Sequence, residues 1–66
     1  MTELRKRRRA LGLSISGVSH EVRVNTSVLS WVELRKLAAS PAVRTKLSDF
    51  YGEEEGTLFD TTGMAK

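Results

Sequence analysis

The side chains with the most accessible chemistry in this 66-residue chain are hydroxyls, one indole and a set of cations. Thr26, Ser27, Ser30 and Trp31 share the outer side of one helical stretch, with Ser27 and Trp31 at i and i+4. Short hydroxyls bond several base edges and an apolar group presses on a thymine methyl, so such a face suits the major groove of DNA. Its discrimination is expected to be modest and to lean on DNA shape, because no Gln, Asn or Arg stands at its centre for a two-point base contact. Trp31 also has a structural reading, packing against the body of the domain across Leu37 or against a second copy. Asn25, at the helix start, is better placed for a phosphate or a cap than for a base.

Catalysis finds no such support. The serines have no paired base, and a domain this small offers no deep pocket. His20 has no second His and no Cys at ligand spacing, and the run Glu53, Glu54, Glu55 reads as a helix start rather than a cation site. The reading is therefore of a non-enzyme, with no metal, cofactor or small-molecule ligand.

An apolar frame must hold that reading face in place. Val18 and Val22 lie at i and i+4, Leu29 and Val32 at i and i+3, with small Ser19 between the first pair and Val24 in the wedge. Two short helices bury such a set by crossing at a tight turn, the construction of a helix-turn-helix unit. Helix signals recur along the rest of the chain and strand signals do not. Thr2 caps a first helix with Leu4 and Leu11 inward and Gly12 at its end; Ser14 caps a second, reaching about Val22. Asn25 caps a third, from Thr26 to Leu34 or a few residues beyond, and Leu37, Ala38 and Ala39 are able to prolong it. Ser40 and Pro41 start a fourth, with Val43, Leu47 and Phe50 inward and Gly52 as its stop. A short fifth carries Leu58 and Phe59. The expected organisation is an all-α, compact five-helix domain over residues 1–60 and a flexible tail over 61–66, which has little to bury.

Charge is unevenly placed along this frame. Residues 1–46 hold ten basic against three acidic side chains, a balance of +7, while residues 47–66 balance to −4. A basic body with an acidic end fits a polyanionic partner on one side, and an ordinary solvated surface is the plain alternative. The chain has no Cys, so neither disulfides nor Cys-based zinc sites staple it. A core of this size supplies about 3–5 kcal/mol of net stability. No apolar run approaches the roughly 20 residues of a membrane span, and the charged start lacks the apolar stretch of a signal peptide, so a reducing cytoplasm is the expected location.

Over Leu4 to Phe59 the chain resembles the small Cro-type and larger repressors of temperate phages, within the XRE-like helix-turn-helix family. The resemblance rests on LRKRRRALGLS at residues 4–14, the frame at 18, 22, 24, 29 and 32, Glu33 closing the third helix, and the Ser40–Pro41 helix start. It implies a five-helix lambda-repressor-like domain whose third helix reads DNA with Thr26, Ser27, Ser30 and Trp31. It also implies a pair between Arg8 and Glu33 locking the first helix to the third, and a phosphate-gripping loop at Arg35 and Lys36. Ser14, Asn25 and Arg9 complete the phosphate set. Two positions depart from the pattern. A turn position that is often glycine is Arg23, which costs about 1 kcal/mol or more if the backbone stays left-handed there, and the polar phosphate anchor that begins the second helix is Ile15.

The function expected on these grounds is a sequence-specific, double-stranded-DNA-binding transcriptional regulator of Cro type from a phage or prophage, acting in the bacterial cytoplasm. Two-fold operators would require a homodimer, formed on DNA or through the C-terminal segment with Leu58, Phe59 and Met64 at the interface, with half-sites about 34 Å apart; a monomer on one site is the alternative. Two rival classes stand beside it. One is a protein-interaction module, such as an antitoxin-like or anti-repressor subunit, favoured by an outward Trp31 and the loss of the anchor at Ile15. The other is a DNA-bending recombination directionality factor, which needs a winged β-hairpin that this sequence does not show.

Overall fold

The computed structural model describes the whole chain, Met1–Lys66. It contains five helices, α1 (Glu3–Ala10), α2 (Ile15–Val22), α3 (Thr26–Glu33), α4 (Pro41–Tyr51) and α5 (Glu55–Leu58), and no strand beyond one antiparallel bridge between Phe59 and Ala65. Four short polar side chains start the four longer helices. Thr2 Oγ1 accepts from Arg5 N at 3.4 Å, Ser14 Oγ from Gly17 N at 3.0 Å, Asn25 Oδ1 from Ser27 N at 2.9 Å and Ser40 Oγ from Val43 N at 3.2 Å. Each bond satisfies an amide that the helical ladder leaves free. Every one of these helices also stops on a left-handed residue, Gly12, Arg23, Arg35 or Gly52.

The helices enclose one core. Leu4 of α1, Val18 and Val22 of α2, Val24 of the turn, Leu29 and Val32 of α3, Leu47 of α4 and Leu58 of α5 are all buried, with Phe59, Ala39 and Ala65. Val43 and Phe50 of α4 pack against it half-buried, and the Phe50 ring meets Tyr51 edge to face with centroids 5.0 Å apart. A salt-bridge pair ties α1 to the acidic end of the chain: Arg7 reaches Glu3 at 2.6 Å and Glu53 at 3.3 Å.

Four expectations need correction. Leu11 is 61% exposed rather than inward, because α1 ends at Ala10 and the left-handed Gly12 swings the chain away; Leu13 packs on the core instead. The third helix is not prolonged through 37–39. Arg35 at φ 61° breaks it, and the Arg35 and Lys36 amides fold back to Val32 O at 3.1 Å and Trp31 O at 2.8 Å, closing the end of α3.

Residues 61–66 are not a flexible tail. Asp60 Oδ1 accepts from Thr62 N at 2.9 Å and Met64 N at 3.1 Å, turning the chain back on itself. Lys66 N then bonds Leu58 O at 3.0 Å, Ala39 N bonds Gly63 O at 2.9 Å, and Glu3 N bonds Lys66 O at 2.6 Å. Ala65 is 0% exposed, so a segment with little apolar surface is held by backbone hydrogen bonds and one small plug. Gly63 permits this closeness: a Cβ there would lie 2.9 Å from Ala39 O. The same fold-back removes the expected dimer surface, since Leu58 and Phe59 are core residues and only Met64 of the three stays partly exposed.

Candidate nucleic-acid interface

Three turn residues, Arg23 to Asn25, set the crossing of α2 and α3. Arg23 takes φ 58°, ψ 46°, which reverses the chain, and Val24 then drops into the core. Ser19 Oγ donates to Val24 O, and Thr26 Oγ1 donates to Ser19 Oγ at 3.0 Å. This hydroxyl relay joins the two helices from inside the wedge. It also commits the Thr26 proton to the turn, leaving that hydroxyl only its acceptor capacity toward an outside partner.

On the far side of α3, Ser27 is exposed and Trp31 is 51% exposed. The indole therefore does not seal against the body of the domain. Ser30 is half-buried at the edge of a groove between α1 and α3 whose other walls are Arg5, Arg8, Ile15, Glu33 and Leu34. Ile15 itself packs against the core, so the start of α2 carries an apolar side chain at the position that departs from the family pattern. Arg5, which the helical spacing puts on one face with Arg9 at i and i+4, is not among the expected contact residues, yet it lines this groove.

The expected phosphate set divides into two kinds. Ser14 and Asn25 use their side-chain oxygens as acceptors in helix caps, so what they offer an anion is the Ser14 hydroxyl and Asn25 amide hydrogens together with a helix start whose first N–H groups lie outside the ladder. Arg9, Arg35 and Lys36 are exposed cations. Arg35 has one weak intramolecular neighbour, Asp60 at 3.9 Å. The Asp60 carboxyl is held below its ordinary value chiefly by the Thr62 hydroxyl, with Arg35 a minor contributor.

Behind this surface, α3 is locked in place by a buried charge pair. Arg8 Nε donates to Glu33 Oε2 at 2.9 Å and Nη2 donates to Oε1 at 3.0 Å, a two-point contact, while Nη1 donates to Leu13 O at 2.9 Å. Glu33 is 4% exposed. Thr2 Oγ1 donates to Glu33 O at 2.8 Å, so one residue fastens both the side chain and the backbone end of α3 to α1. The Glu33 hydrogen bond raises the already high Arg8 pKa, against the opposing effect of burial. Nearby Tyr51 is pushed up to about 12 by burial, with a further push from the Glu33 charge.

Compared with protein-family models, curated proteins and solved structures, the chain matches none. No group of three or more His, Asp and Glu side chains could hold a metal ion. No helix is long and apolar enough to cross a membrane.

Proposed function

We propose that this protein is a sequence-specific double-stranded-DNA-binding regulator of Cro type, in which α2 and α3 act as a helix-turn-helix and α3 enters the major groove. The observation that carries the reading is the outer face of α3. Ser27 and Trp31 are exposed there, Ser30 shares a groove with Arg5, Arg35 and Lys36 directly follow the helix, and Arg9 is a further exposed cation. Hydroxyls and an indole on a helix match base edges and a thymine methyl, and arginines and lysines at its margins match phosphates. The resemblance of residues 4–59 to Cro-type repressors supports the same assignment.

Selection of bound duplexes from random DNA, followed by sizing of the complex, tests it. With roughly five phosphate contacts per subunit, log affinity should fall against log salt with a slope of about −4 to −5. Absence of binding even at low salt would overturn the reading. The exposed trio Trp31, Leu34 and Leu37 favours one second reading, a protein-interaction module. Tight capture of a cognate protein by a chain that ignores DNA would decide for it.

A further inference from the structure

The four longer helices end on left-handed residues of two kinds. Gly12 and Gly52, at φ 69° and 65°, close α1 and α4, where glycine relieves the clash that a Cβ meets. Arg23 and Arg35, at φ 58° and 61°, close α2 and α3 in the same conformation and carry that clash. The fold needs only the backbone geometry at these positions, which glycine supplies at lower cost. An arginine is justified there by what its side chain does.

Inside the chain the Arg23 side chain does nothing visible. It is exposed and takes part in none of the five ion pairs. Glu21 and His20 line the same shallow hollow beside the turn, with Ser19 and Val24, yet Glu21 stays beyond ion-pair distance of the guanidinium. Arg23 stands just before the Asn25 cap, at the end of α3 that leads into the groove in the proposed complex. A long cation at that place meets the sugar–phosphate strand bordering the groove rather than a base.

We infer that Arg23 grips a DNA backbone phosphate at the leading end of α3, a contact that the left-handed turn keeps at the expense of stability. The inference rests on the DNA-binding reading and adds to it a residue opposite the Arg35 and Lys36 loop. Arg35 sits at the trailing end of the same helix, so the two left-handed arginines flank the proposed reading face and address phosphates on either side of it.

The test uses the full chain, a random-sequence duplex titrated over a salt series, and thermal melting. Arg23→Gly is expected to raise the melting temperature by about 4 °C or more, to weaken binding about five- to tenfold at fixed salt, and to make the salt slope shallower by about 0.9. Arg23→Lys should keep most of the slope without the gain in melting temperature. A glycine variant that melts higher and binds with an unchanged slope would overturn the inference while leaving the DNA-binding reading intact. Failure of the unmodified chain to bind the duplex at low salt would overturn both.

Discussion

Leu29, Val32 and Glu33 on the inner side of α3 are almost wholly excluded from solvent, whereas Ser27 and Trp31 on its outer side remain open. The inner residues fill the core and close the Arg8 ion pair. Neither outer residue fills the core. Eight residues thus divide into a packed face and an open face, with positions one or two apart in sequence belonging to different faces. Changes on one face should move stability and leave recognition to follow passively; changes on the other should move recognition alone.

The sharpest break of that contrast is at Glu33. Glu33→Ala strands the Arg8 guanidinium beside a buried void and is expected to cost about 3–5 kcal/mol, comparable with the domain's whole net stability, so denaturant unfolding should find little folded protein. Arg8→Ala, leaving its partner charge buried, should do likewise; an unchanged melting temperature for either would contradict the pairing. Leu29→Ala, on the same inner face, should cost about 2–5 kcal/mol by urea titration. At Ala65, which is wholly buried in the core, Ala65→Leu is expected to cost about 1–3 kcal/mol, which would measure how firmly the C-terminal fold-back is held.

Trp31→Ala belongs to the other face. Its stability should stay within about 0.5 kcal/mol of the parent, while affinity for a selected duplex falls about tenfold, read by fluorescence anisotropy with labelled DNA. A large loss of stability instead would place the indole among the packing residues and dissolve the contrast. A pH-dependent effect, confined to the alkaline range, is expected at Tyr51, the chain's single tyrosine, which an absorbance titration isolates. Its folded-state value of about 12 lies above the ordinary 10.0. Burial of the neutral phenol therefore contributes stability that is complete below the unfolded value and is lost as pH rises through the folded one.

The helix starts were legible because capping is local. Thr2, Ser14, Asn25 and Ser40 each bond an amide two or three residues onward, and neighbouring sequence suffices to announce that. The frame at Val18, Val22, Val24, Leu29 and Val32 was legible for the same reason, since helical spacing puts its members on one side. Leu11 misled because the periodicity that placed it inward ran past the end of α1. Leu58 and Phe59 are legible as apolar but not as core rather than interface, since spacing alone does not say which surface covers a hydrophobic pair. The weak apolar content of residues 61–66 suggested freedom, although Asp60, Thr62 and Gly63 carried a turn signal.

Sequence by itself determined where four helices begin, which residues of α2 and α3 turn inward, and hence which residues of α3 are left outside. These follow from bonds and spacings within a few residues. Only the tertiary structure decided that Ala65 plugs the core, that Lys66 O meets Glu3 N, that the Thr26 proton is spent on Ser19, and that Arg23 remains without a partner. Those outcomes depend on how distant segments meet in space, where small residues and backbone groups fit without leaving a periodic trace in the sequence.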